Sequence, residues 1–162
     1  MSHLLDANCF IDAKERYYRF PVCPGYWDWL ADANARGVVF SVDKVRDELV
    51  NGGGELAVRA QGAIKNLFLK PHAAVIQQFA LVAAWVAQHP QYRQSAKDLF
   101  LAGADPWLIA HAMAHNWTVV TLEKPAPQAL KTIKIPDVCA HFGVVYKDPF
   151  QLLEEDGAIF TL

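Results

Sequence analysis

Cysteine is scarce in this chain of 162 residues: Cys9, Cys23 and Cys139 are the only three, and no CxxC pair occurs. An odd count without paired spacing gives no basis for a disulfide framework or a structural zinc site. Long apolar runs are also missing. The longest, Phe79 to Ala87, falls far short of the roughly 20 residues that cross a bilayer, so no membrane association is expected. No basic segment followed by an apolar one opens the chain, and Asp6 lies where such an apolar segment would run, so the expected location is the cytoplasm. Basic residues are not in excess. Fifteen Lys and Arg against seventeen Asp and Glu give a net charge of -2, which argues against a strong nonspecific nucleic-acid binder. It leaves open a nucleic-acid enzyme whose acidic centre is neutralised by cations. Two catalytic signatures are absent as well. Gly52, Gly53 and Gly54 follow no strand and precede no Gly-Lys-Ser/Thr, so they read as a helix stop rather than a phosphate loop. Ser2, Ser41 and Ser95 lie in no GxSxG elbow.

What is present is an apolar chain, with 53% hydrophobic and 20% charged residues. This balance is opposite to that of disordered sequences. The length suits a single domain over 1–162 that buries roughly 70% of its unfolded surface. Short runs without apolar–polar alternation (His3 to Asp6, Val38 to Ser41, Thr118 to Thr121, Val144 to Tyr146) read as strands covered on both faces. Helices are expected between them: Tyr26 to Ala35, one capped by Ser41 or Asp43 and ending at the glycines, one opened by Asp105 at N-cap with Pro106 at N1, Pro136 to Phe142, and a last one from Asp148-Pro149. Residues 49–104 show no clear strand and read as a helical insertion. The fold class is α/β, built around a parallel sheet.

In such sheets ligands bind beyond the carboxyl ends of the strands. Asp6 ends the first strand, closely followed by Asn8; Glu48 lies two helical turns past the second; Asp105 opens the helix that leads to the third; Thr121 ends that strand and Glu123 follows. Two carboxylates about 4 Å apart repel by about 4 kcal/mol at an effective dielectric of 20. Mg²⁺ or Mn²⁺, which prefer hard oxygen ligands, would relieve that repulsion and suit phosphodiester hydrolysis. Taken singly, Asp105 can be a helix cap, Glu48 a solvated helix residue and Glu123 the partner of Lys124. Asp6, among Leu4, Leu5 and Phe10, needs a partner or a metal. Asp137 is a fifth acid, but in a first helical turn it can stabilise the helix dipole alone. Lys14, Arg16 and Arg19 alternate with Tyr17, Tyr18 and Phe20, a pattern able to contact phosphates and stack on bases. His111 and His115, four apart, read as a polar helix edge. Of Trp27 and Trp29, one is expected at an interface.

The series Leu4-Leu5-Asp6-Ala7-Asn8, Val45-Arg46-Asp47-Glu48-Leu49, Gly103-Ala104-Asp105-Pro106-Trp107-Leu108-Ile109-Ala110 and Val119-Val120-Thr121 resembles the PIN-domain nucleases, including VapC-type toxins of bacterial toxin–antitoxin pairs. The resemblance implies a PIN-like fold, with a central parallel sheet and helices on both faces. It also implies Mg²⁺- or Mn²⁺-dependent cleavage of RNA by a metal-activated water. By motif position, Asp6, Glu48 and Asp105 match the family's acidic metal ligands, and Asn8 and Thr121 match supporting polar positions. The fourth acid, usually Asp, is replaced by Glu123. The segment Lys14 to Phe20 departs from the commoner VapC pattern and points to a less characterised branch. The expected partners are an RNA substrate and a cognate antitoxin, and a homodimer mate could likewise cover apolar surface. The rival readings are a PIN-like RNA-binding or protein-interaction module without turnover, and a DNA or flap nuclease.

Overall fold

The computed structural model describes residues 1–161. Five strands form one sheet in the order β3-β2-β1-β4-β5: β1 His3–Leu5, β2 Val39–Val42, β3 Phe68–Leu69, β4 Thr118–Val120 and β5 Tyr146–Lys147. Every neighbouring pair is parallel, with Leu4 opposite Phe40 on one side and Val119 on the other. Leu4, Leu5, Val39, Val42, Val119 and Val120 are all buried, as expected of strands sandwiched between helices. No helix is long and apolar enough to cross a membrane, among the described residues.

The chain moves outward from β1 through β2 to β3, then crosses back to β4 and on to β5. Right-handed crossovers therefore place the helices between β1 and β3 on one face and those between β3 and β5 on the other. The first group is α1 (Ala7–Asp12), α2 (Pro24–Ala35), α3 (Asp43–Asn51) and α4 (Gly54–Gln61). The second is α5 (Ala73–Gln88), α6 (Gln94–Ala102), α7 (Asp105–His115) and α8 (Ile135–Phe142), and α9 (Pro149–Glu155) ends the chain. The direction of winding reverses between β1 and β4. That crevice is where doubly wound sheets hold ligands.

Several expectations need correction. Residues 49–104 do contain a strand, β3, whose two residues pair Ser41 with Phe68 and Val42 with Leu69; so short a segment carries no periodicity. The last strand is Tyr146–Lys147 rather than Val144 to Tyr146. Neither Ser41 nor Asp43 caps α3. The Ser41 hydroxyl instead donates to the Leu5 carbonyl at 2.6 Å, and Val42 occupies the N-cap without a side-chain bond. Trp27 is buried and donates from its indole to the Tyr18 carbonyl, while half-buried Trp29 donates to Asp156, so neither is exposed for an interface. His111 is a core residue, not part of a polar edge.

The Ser41–Leu5 bond is buried and joins β2 to β1. Ser41→Ala should lower stability by about 1 kcal/mol, read as a reduced urea midpoint at unchanged m-value.

Candidate active site

Four elements bring carboxylates to the carboxyl edge of the sheet. Asp6 immediately follows β1 and caps α1, its Oδ1 accepting from the Cys9 amide at 3.1 Å. Its other oxygen, Oδ2, accepts from the Thr121 hydroxyl at 2.6 Å. Thr121 follows β4, so this one hydrogen bond ties together the two strand ends that flank the winding reversal. The Thr121 hydroxyl also accepts from the Glu123 amide at 3.0 Å and so sets the course of the chain beyond β4.

Asp105 is not the N-cap expected of it. Ala104 takes that position without a capping bond, and Asp105 and Pro106 form the first turn of α7. The Asp105 carboxylate is thus not used in closing its own helix. Glu48, on α3, reaches across to accept from the Ala104 amide at 3.2 Å. Gly103 lies beside it, and a Cβ there would be in ordinary contact with Glu48 Oε1 at 3.7 Å. Glu123 does not pair with Lys124. Its Oε1 accepts from the Ile135 amide at 3.0 Å and its Oε2 lies 3.9 Å from the Lys134 ammonium.

Asp6, Asn8, Glu48, Asp105 and Glu123 line one cleft of about 300 Å³, walled by Ile11, Leu99 and Phe100. The electrostatics mark them as a group. Burial, reinforced by the charges of Glu123, Asp6 and Glu48, raises the Asp105 carboxyl to about 8. Burial also raises Asp6, to about 6, against the hydrogen bonds from Thr121 and Cys9 that favour its charged form. Glu48 is raised by partial burial, opposed by the Ala104 amide. Asp137 stands apart and accepts from the Ala126 amide at 2.9 Å.

This all-oxygen, over-acidic donor set fits a hard divalent cation. Among the described residues, no three His, Cys, Asp or Glu side chains are set closely enough to cage a metal as they stand. An open cleft of this kind suits Mg²⁺, which keeps several waters and takes one or two carboxylates directly.

The basic cluster is placed less centrally. Lys14 lines a hollow that shares Ile11 and Glu48 with the acidic cleft. Arg16 lies 3.6 Å from Asp12, and Arg19 donates to the Glu15 carbonyl. Sequence reasoning missed the amides of Ala104 and Ile135 as anchors for Glu48 and Glu123. Backbone groups carry no residue signature.

The sequence profile of the family described as Domain of unknown function (DUF4411) matches residues 3–160. The chain belongs to that family. No curated protein matches it. Its fold is that of the PIN-domain structures. The FitAcB crystal structure from Neisseria gonorrhoeae aligns with a TM-score of 0.55 at 20% identity, covering 91% of this chain and 98% of that one. The structure of VapBC2 from Rickettsia felis bound to a promoter DNA fragment gives 0.53 at 14%, covering 91% and 98%. FitAB bound to the IR36 DNA fragment gives 0.54 at 18%, covering 91% and 95%.

The raised acids fix a pH dependence. Both Asp6 and Asp105 hold protons more tightly folded, at about 6 and about 8, than unfolded, at about 4. Their contribution to stability is therefore greatest near pH 4 and is lost as pH rises through 6 and then 8. Asp105→Asn should flatten this fall and raise the melting point at pH 8.5, by about 2–4 °C for each 1 kcal/mol relieved. Melts of both proteins at pH 5 and pH 8.5 measure it. A parallel loss in the two would refute the coupling.

Proposed function

We propose that this chain is a metal-dependent endoribonuclease, the toxin of a toxin–antitoxin pair, with the acidic cleft as its active site. The observation that carries the reading is the meeting of Asp6, Glu48, Asp105 and Glu123 in one cleft at the winding reversal, with Asp105 raised by burial and, after it, by the other three charges. Such a set is unfavourable alone and becomes favourable around a cation. Asp6 and Asp105 would hold Mg²⁺ or Mn²⁺, with Glu48 and Glu123 at its flanks. The bound metal would supply an acidified water and positive charge for the phosphodiester oxygens.

The chain's own residues do the rest. Thr121 holds the Asp6 carboxylate in one orientation, and the Ala104 and Ile135 amides do the same for Glu48 and Glu123. Asn8, exposed at the mouth of the cleft, offers an amide to substrate or bound water. Lys14, Arg16 and Arg19 supply local attraction for an RNA backbone on a chain of net negative charge. The antitoxin partner is supported by the toxin–antitoxin assemblies of like fold. The same reading has the protein act in the cytoplasm, where it would meet RNA and an antitoxin. The open spacing of the acids favours one rival, a PIN-like module that binds RNA without cutting it.

Incubating the purified chain with RNA and Mn²⁺ decides between them. We expect products with Mn²⁺, none with chelator, and loss on the order of 100-fold or more in Asp6→Asn and Asp105→Asn at preserved fold. RNA bound but uncut in Mn²⁺ would leave the binding module.

The double change Arg16→Ala with Arg19→Ala should weaken RNA binding across sequences and flatten its salt dependence. An unaltered salt slope in a folded double variant would make these arginines solvated surface.

A further inference from the structure

A second cluster of metal-binding side chains lies at the other end of α7. His115 is in the last turn of that helix, and His72 is the N-cap residue of α5, which packs along α7. Their Nε2 atoms are 3.2 Å apart, with ring centroids separated by 5.0 Å and planes at 74°. Two imidazoles directed at one ion about 2.05 Å from each nitrogen have nitrogens about 3.2–3.3 Å apart and centroids about 5 Å apart. A head-on N–H···N hydrogen bond of the same length would hold the centroids about 5.5 Å apart. In the metal-free chain the two nitrogens share a bent hydrogen bond, and its 5.0 Å centroid separation matches that of two ligands of one ion.

The surroundings support a ligand role. His115 stacks on Trp117 at 4.2 Å, and Trp117 stacks on Phe40 at 5.2 Å, so packing rather than a hydrogen-bonded anchor fixes the ring. Among the described residues, neither ring forms a salt bridge with a carboxylate. His111, one turn back on α7, is buried with both ring nitrogens unpartnered. It lies 5.9 Å from His115, centroid to centroid, and offers it no competing bond.

We propose that His72 and His115 form a two-histidine site for a late transition metal such as Zn²⁺, completed by water. Imidazole nitrogen suits Zn²⁺, Ni²⁺ and Cu²⁺ and not Mg²⁺, so the site is chemically distinct from the acidic cleft. It is also separate in space: ten residues of helix put His115 about 15 Å from Asp105. The ion would clip the start of α5 to the end of α7.

The test uses the tag-free full chain, stripped of metal and titrated with Zn²⁺ in competition with a chromophoric chelator. One equivalent should bind to the histidine pair in the wild type, besides any that enters the acidic cleft. Affinity should fall tenfold or more in His72→Ala and in His115→Ala, and hold in His111→Leu and in Asp105→Asn. Zinc X-ray absorption should show two imidazole ligands, and Zn²⁺ should raise the melting point of the wild type but of neither alanine variant. His72 is exposed, so its removal leaves the fold intact; His72→Gln serves as a second check. Wild-type affinity in both alanine variants, or loss in Asp105→Asn alone, would overturn the proposal.

Discussion

The hydrogen bond from Thr121 to Asp6 organises the carboxyl edge of this molecule. It spans 115 residues of sequence, is buried, and joins the ends of the two strands between which the winding direction reverses. A buried carboxylate needs donors, and Asp6 has two: the Thr121 hydroxyl and the Cys9 amide. The first fixes β4 against β1 and the second starts α1. The same hydroxyl receives the Glu123 amide, so the position of the fourth acid also follows from it. Without that pairing, Asp6 would be a burial penalty in a strand end that is otherwise apolar.

Around this anchor the acids are held by backbone amides rather than by cations. Glu48 leans on Ala104 and Glu123 on Ile135, and the Lys134 ammonium, 3.9 Å from Glu123, also acts on Asp105. Amides orient a carboxylate without neutralising it. Burial first, and then the charges of Glu123, Asp6 and Glu48, give Asp105 the largest shift of the four acids. Two demands meet on the same residues: a fixed geometry and an unrelieved field. The fold satisfies the first internally and leaves the second for whatever enters the cleft.

The sequence made the central strands and the order of the acids legible, because both rest on local signals. Leu4-Leu5, Val39-Phe40 and Val119-Val120 are continuous apolar runs, and Asp6 and Thr121 stand where those runs stop. What it did not make legible depends on distant partners. β3 exists because Ser41 and Val42 offer an edge, not because Phe68-Leu69 has a pattern. Asp105 before Pro106 has the residues of a cap, yet Ala104 occupies that place. Lys124 adjoins Glu123 in sequence, while Lys134 reaches it in space. His111 sits on a helix with polar neighbours at its end, but its face turns to the core.

The tether on Glu123 answers the question raised by finding Glu where Asp is usual. A free glutamate has one more rotatable bond than an aspartate, and ordering it at the moment of ligand binding would lose rotamer entropy. Here Oε1 is fastened to the Ile135 amide and Oε2 lies near the Lys134 ammonium. The longer arm is thereby held at both of its oxygens. Its disorder is lost when the chain folds, so the extra methylene need not weaken what the cleft later receives.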